Sequence, residues 1–481
     1  MSSEQAPYRI AVIGGGITGL SAAFQLTELR DQTGRSVEIT LYEASHRLGG
    51  AFGSEQIGDY LIETGADSFI TNKPWAVKLC ESLGLSDQLV STNPKYRRSL
   101  ILHHGRPIET PVGFNLLAPG QIWPMVTTPL LSWSGKIKAA MEYFAAPRQA
   151  AEDESLADFV RRHFGQEMLD NIVQPMVGGI YTSDPERLSL AATLPRFVDM
   201  EREYGSLIKA MKRSNQKEKQ EESASGARYG LFATPRHGMQ TLLDTLEERL
   251  TPQIDIKREC WVENLEFTET VTVTSSQGQQ QFDRVILAQP TYRAAQLLHD
   301  DHKELASKLD EIEYASSAIV VSGHKLSGID HDLNAFGLVI PHKEQRRIIA
   351  VSFLSRKFEE RAPEGRVILR TFVGGAMQPE EIQCNDAELL EKVFSELREV
   401  LGVRGEPEFT RIARYDNAMP QYTVGHQVRV AKIFELAESI PQIELAGNAY
   451  EGVGVPDSVR SGERAAQAAW ESIFPVSEND G

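Results

Sequence analysis

Gly14, Gly16 and Gly19 are spaced G-x-G-x-x-G within IAVIGGGITGLSAAFQL, residues 10–26. They follow an apolar run, Ile10 to Ile13, and open a small-residue helical pattern. A strand, a tight turn and a helix in that order form a pyrophosphate site. Gly14 makes the turn, Gly16 lets phosphate approach the backbone, and Gly19 lets the helix pack on the strand. Gly15, Ile17 and Thr18 complete the loop, and the helix N-terminus offers free N–H groups and partial positive charge. The motif calls for an acid at the end of the second strand. VEITLYEAS supplies Glu43, with Ala44 beside it. A carboxylate there accepts both ribose hydroxyls of an adenosine and repels a 2′-phosphate, so NADP is disfavoured.

Both flavin and nicotinamide cofactors use this turn, and the next residues separate them. EASHRLGGAFGS places Arg47, Gly49, Gly50 and Ala51 directly after Glu43. Two adjacent glycines let the backbone run against a pyrophosphate, and Arg47 can add a cation there. YLIETGADSFI follows with Gly65, Ala66, Asp67 and Ser68, where Gly65-Ala66 permits close approach of a ring. Near the C-terminus, ELAGNAYEGVGVPDSV gives a strand, a glycine-rich loop with Val453 and Gly454, and a helix opening near Val455 or Asp457. Such a helix N-terminus suits the pyrimidine edge of a flavin, which becomes anionic on reduction.

The R-x-G-G run after the ribose acid resembles the second signature of a flavoprotein superfamily containing amine oxidases, phytoene desaturases and protoporphyrinogen oxidases. VQPMVGGIYTSDPERLSL, AMPQYTVGH, GNAYEGVGVPDSV and GADSFITNK resemble the porphyrinogen-oxidase family of haem biosynthesis over essentially the whole chain. The resemblance implies non-covalent FAD and six-electron oxidation of a porphyrinogen to a porphyrin, with dioxygen reduced to hydrogen peroxide. It leaves the substrate open between coproporphyrinogen III and protoporphyrinogen IX. Lys73 matches a lysine of the coproporphyrinogen-type members and is either a propionate ligand or a solvated side chain. Tyr415 stands where the family usually has Trp, so an aromatic ring near the flavin is implied, with a hydroxyl that needs a partner. Val262, in the returning nucleotide-domain material, joins the implied FAD contacts. No convincing acid–base pair is found. The alternative on the same fold is an amine oxidase or carotenoid desaturase.

These residues need a scaffold. The 481 residues suggest two or three domains. The expected fold is α/β and α+β. A Rossmann-type FAD domain, discontinuous in sequence, is drawn from 1–72, 228–299 and 421–481. A sheet-based substrate domain is drawn from 73–110 and 300–420. A mostly helical region covers 111–212, and RSNQKEKQEESASGAR, at about 213–227, reads as a solvated loop with almost no apolar content. In the helical region, Ser155 followed by Asp158 resembles a capping box. RRSLILHHGRPIETP reads as a hairpin at a solvated sheet edge.

A net charge of −17 makes nucleic acid and anionic lipid poor default partners. Three scattered cysteines, Cys80, Cys260 and Cys384, exclude a disulfide framework or zinc site and fit a reducing compartment, so a cytoplasmic location is expected. Residues 110–135 carry no charge but contain Pro111, Pro119, Pro124 and Pro129, which forbid one continuous spanning helix. Trp123 and Trp133 in that stretch suit either a pocket wall or a segment dipping into a lipid interface on the inner face of the membrane. Contact with haem-pathway enzymes and the oligomeric state stay open.

Overall fold

The computed structural model describes residues 6–148, 152–213 and 231–475, so most of the expected solvated loop lies outside the described residues. A five-stranded sheet forms the nucleotide-binding part. Its order is Asp255–Lys257, Val37–Tyr42, Tyr8–Ile13, Arg284–Leu287 and Ile443–Leu445, all parallel. The central strand is apolar on both sides because both faces are covered. Ile10 and Val12 face the helices Ile17–Thr33, Gln240–Leu250 and Val455–Ile473. Ala11 and Ile13 face a three-stranded antiparallel sheet, 262–282, and the helices Thr291–Leu298, Lys303–Asp310 and His426–Glu438.

The second layer is a seven-stranded sheet. Its order is Phe409–Pro420, Tyr314–Lys325, Arg366–Gly374, Ala350–Phe353, Gly337–Val339, Ser99–His103 and Arg106–Glu109. Pairing is antiparallel except where Gly337–Val339 meets Ser99–His103. The last two strands are the expected hairpin, and Arg106–Glu109 is an edge. Strand alternation sorts the residues by face. Leu338, Val351, Leu369 and Val373 pack under helix Asp386–Leu401. The opposite face looks toward the nucleotide-binding part and a helical region whose core is Phe159, Phe164, Ile172 and Phe197. In that region Ser155 caps its helix, accepting from Asp158 N at 3.0 Å.

Two of the domain boundaries cut through packed cores. Ala76, Leu79 and Cys80 of helix Trp75–Ser82 pack with the nucleotide sheet, as do Leu305, Ala306 and Leu309 of helix Lys303–Asp310. The chain reaches the second sheet only after these helices have buried their apolar faces against the first.

No helix among the described residues is long and apolar enough to cross a membrane. Residues 110–135 fold into turns, the short strand pair Phe114–Asn115 and Ala118–Pro119, the short helix Ile122–Thr127 and the start of helix Trp133–Met141. Leu117, Leu130 and Leu131 are buried, whereas Trp123 and Trp133 are 74% and 71% exposed. The two indoles therefore do not line a pocket wall.

Candidate functional site

The glycine turn has the geometry its spacing predicts. Gly14 has φ of +112°, and a Cβ there would overlap the Ala288 carbonyl oxygen. A Cβ on Gly19 would overlap the Gly14 carbonyl, so only glycine lets this helix sit so close to its strand. A Cβ on Gly16 would meet nothing within 4 Å, so the space above the turn is open. Ile17 and Thr18 are buried in the first helical turn. Glu43 sits beside the turn. Its carboxylate accepts from Gly15 N at 2.8 Å and from Ser45 N and Oγ at 2.7 Å each. Cys260 N binds the Glu43 carbonyl at 2.9 Å, which brings Val262, at the head of strand Val262–Phe267, to the same end of the sheet. Ala44 is exposed there. An open glycine cradle next to an anchored carboxylate fits a dinucleotide with free ribose hydroxyls.

The loop with Gly49 and Gly50 lies along this turn. Gly49 N donates to Gly15 O at 2.8 Å, and both glycines adopt positive φ. Arg47 is turned inward instead of standing free: it donates to the carbonyls of Phe52 at 2.6 Å and Gly50 at 2.8 Å. It fixes the shape of the loop that would face the pyrophosphate. Gly65 has a related backbone role. A Cβ on it would overlap the Ala51 carbonyl, so the need for glycine comes from this backbone contact. Tyr415 finds the partner its hydroxyl needs in the same carbonyl, at 3.3 Å.

Ala66, Asp67 and Ser68 run between strands Tyr60–Glu63 and Phe69–Ile70. Asp67 accepts from Lys357 Nζ at 2.7 Å, Arg370 Nη1 at 2.8 Å and Ser68 Oγ at 2.7 Å. Arg370 also donates to the Gly65 carbonyl. Burial alone would raise the Asp67 carboxyl, but the two cations outweigh it and hold it well below the usual range. Behind this group, burial pushes Glu63 up to about 7, partly offset by Ser54 and Arg361. Lys357 and Arg370 were not singled out in the sequence. The signal for Arg370 is a cation inside the apolar strand RVILRTFVGG, on the face shared by Ile368 and Phe372.

The third wall is the loop before the last helix. A Cβ on Gly462 would overlap Thr18 O, so this helix lies directly on the first one. The Tyr422 hydroxyl accepts from Gly452 N at 2.7 Å and donates to Asn448 O at 2.6 Å, tying both ends of the loop. Burial raises that phenol strongly, with Asp457 adding to the effect, so it stays neutral. Val453 and Val339 each pack against the rim of the helical core. Gly454 caps helix Val455–Ile473 with an extended backbone and no side-chain cap. Lys73 reaches this wall. Its ammonium donates to both Asp457 oxygens at 2.7 Å, and the Asp457 carboxylate is only 6% exposed. Lys73 thus bridges the second and third walls: its side chain is still 41% exposed, but its ammonium is paired.

Above these walls, the second sheet presents Val339, Ala350 and Phe372 in one cross-strand row. Helix Gln174–Tyr181 faces it, with Gly179 against Val339. The three side chains of this row are apolar, and none of them can act as an acid or a base. The described residues contain no cluster of metal ligands.

Comparisons with known proteins agree with this geometry. A family model described as flavin containing amine oxidoreductase matches residues 17–469. The chain is 32% identical to the coproporphyrinogen III oxidase of Bacillus subtilis, covering 97% of this chain and 98% of the relative. It is 33% identical to the coproporphyrinogen III oxidase of Propionibacterium freudenreichii, covering 95% and 90%. The crystal structure of an Exiguobacterium protein provisionally named protoporphyrinogen oxidase superposes with a TM-score of 0.85 at 28% identity, over 96% of this chain and 99% of that one.

Proposed function

Since the chain belongs to the flavin containing amine oxidoreductase family, we propose that it binds FAD non-covalently and oxidises a porphyrinogen to a porphyrin in haem biosynthesis, with dioxygen as acceptor. The preferred substrate is coproporphyrinogen III. The observation that carries the reading is the apolar row Val339, Ala350 and Phe372, on the sheet face that also carries Arg370, whose guanidinium binds the Gly65 carbonyl of a segment that would hold a flavin. Near-full-length similarity to two coproporphyrinogen III oxidases supports it.

The flavin supplies hydride acceptance. The chain does the rest by placement. Gly14 to Gly19 and Glu43 hold the adenosine and pyrophosphate end. Gly65 to Ser68 and Val453 to Val455 hold the ring end, and Asp67 with Lys357 and Arg370 keeps the former segment rigid. The flat apolar row orients a tetrapyrrole and excludes water. Aromatisation drives the reaction, so no strong general base is needed within the apolar row itself. Cys80 and Cys260 are buried in the nucleotide cores, and Cys384 bonds the Glu381 carbonyl in a distant loop, which favours a non-covalent cofactor.

The test is anaerobic flavin bleaching and aerobic Soret absorbance with each porphyrinogen. A tenfold preference for coproporphyrinogen III is about 1.4 kcal/mol of transition-state binding. No porphyrin from either substrate rejects the reading, and an amine or carotenoid product would replace it.

The protein also contacts a lipid interface in this proposal. Trp133, Ile137, Met141 and Phe144 form one exposed stripe at helical spacing, and Ile122 and Trp123 are exposed on the preceding helix. Lys136 lies over the Trp133 ring at 4.8 Å, a cation beside an indole as expected at headgroup level. Flotation with liposomes, lost on Trp123→Ser/Trp133→Ser, tests the contact; no flotation of the parent protein disproves it.

A further inference from the structure

Oxidation of a porphyrinogen removes six hydrogens. Three leave as hydrides from meso carbons. Three leave as protons, two from pyrrole nitrogens and one from the remaining meso carbon. Each hydride is passed on to dioxygen, which takes one further proton to become hydrogen peroxide. The protons therefore balance overall, but each must leave the ring by some route. The wall of Val339, Ala350 and Phe372 has no group to take it.

A small cavity beside this wall has such groups. It is lined by Gln174, Gly178, Thr182, Ser183, His342, Ile349 and Gln378, among others, and holds about 20 Å³. That is room for one water molecule. Thr182 Oγ1, His342 Nδ1 and Gln378 Oε1 are buried without a hydrogen-bond partner, and all three residues line this one cavity. Buried polar atoms are normally satisfied, so three orphans around a water-sized space point to a ligand there. The side chains are also aimed. Gln378 Nε2 is engaged with Arg346 O at 2.9 Å, which leaves its oxygen for the cavity, and His342 N is held by Gln174 Oε1 at 2.9 Å. Thr182 has φ of +49°, a conformation that a β-branched residue seldom accepts. It takes this conformation as the C-cap of helix Gln174–Tyr181, its N donating to Gly178 O, which holds the residue at the cavity.

The cavity has neighbours in both directions. Ile349 N bonds the Phe372 carbonyl at 2.9 Å, which places its lining against the apolar wall. Ser183 is shared with a larger cavity of about 420 Å³, whose rim includes Asp184, Gln383, Asp416 and Asn417.

We propose that Thr182, His342 and Gln378 bind one water molecule, and that this water and His342 carry protons from the oxidised ring past Ser183 to the larger polar cavity. The water donates to Gln378 Oε1 and His342 Nδ1 and accepts from the Thr182 hydroxyl, which uses each orphan once. The relay rests on the porphyrinogen reading; the water site itself does not.

Two experiments separate these. A high-resolution crystal structure is expected to show a water within hydrogen-bonding distance of all three atoms, and clear density without one overturns the site. For the relay, His342→Ala holoenzyme is compared with the parent on whichever porphyrinogen the parent oxidises. The expected result is a fall in kcat of about a hundredfold, with KM and flavin content unchanged. Added imidazole restores turnover, and Thr182→Val lowers kcat in the same direction. An unaltered kcat overturns the relay, as does a loss that imidazole leaves untouched. If the parent yields no porphyrin, the function fails with the relay, whereas the crystal still decides the water site.

Discussion

Replacing Asp67 by Asn tests what holds the Gly65–Ser68 segment. In the native protein one carboxylate faces two cations, and the side chains of Asp67, Lys357 and Arg370 are only 11%, 16% and 3% exposed. Asn keeps the shape but removes the carboxylate that both buried cations share. Removing one partner of a buried pair costs about 3–5 kcal/mol. Unfolding entropy near 2.1 cal/mol/K per residue turns 4 kcal/mol into a Tm shift of about 4 °C for a unit of this length, and about twice that for a unit of half the length. Flavin release, followed by fluorescence during heating, reads the unit that contains the site. A second variant isolates the electrostatic part. Lys357→Met removes one of the stranded cations, so Asp67→Asn/Lys357→Met should be less damaged than the sum of the single changes by about 1–3 kcal/mol. The sign with pH is also fixed. The folded Asp67 carboxyl lies below its ordinary value, so its stabilisation is present above the usual carboxylate range and is lost as pH falls through the lower folded value. A shift under about 1 °C, or strictly additive variants, would refute the account of this cluster.

Three further outcomes are expected. Burial raises Glu63 from 4.5 to about 7, so native stability should decline as pH rises across that window, by about 3 kcal/mol in all. Glu63→Gln should flatten the Tm profile between those pH values, and an unchanged slope would discount the buried carboxylate. Gly65→Ala places a Cβ on the Ala51 carbonyl and should lower the flavin-to-protein absorbance ratio on purification; full retention with native Tm would show that the backbone yields there. Lys73→Met should alter flavin retention or midpoint potential and leave the KM of each porphyrinogen unchanged, since its ammonium is already committed to Asp457; a KM rise confined to coproporphyrinogen III would return Lys73 to the propionates.

The contrast between Lys73 and the glycine turn shows what a sequence can disclose. Gly14, Gly16, Gly19 and Glu43 act within one strand–turn–helix–strand unit, so their spacing alone dictates where each must stand, and the first helix and both strands are legible for the same reason. Lys73 depends on Asp457, 384 positions away in the chain. Asp67 depends on Lys357 and Arg370, 290 and 303 positions away. No local pattern encodes such partners. Arg47 was legible as a cation near the pyrophosphate loop but not as one already spent on Phe52 and Gly50 carbonyls. The cores joined by the segments after 73 and 300 were not legible for a related reason. The change from strand to helix is visible in sequence, but the core that helices Trp75–Ser82 and Lys303–Asp310 choose is set by apolar faces elsewhere.

The same partners say how charge is used in this protein. The wall that would meet a tetrapyrrole is apolar, while the buried ions stand behind the segments that frame it: Asp67 with its two cations behind one, Asp457 with Lys73 across two. Under the proposed function, ions so placed would set the position and potential of the flavin and would exchange no protons with the substrate. Specificity between two- and four-propionate porphyrinogens must then be decided at the rim of the apolar row, where ring substituents reach polar side chains. It follows that a charge change in either buried pair should move flavin properties and the rate with both porphyrinogens together, leaving their ratio fixed. A variant of Asp67 or Asp457 that reverses the preference while keeping the flavin spectrum would contradict that division of labour.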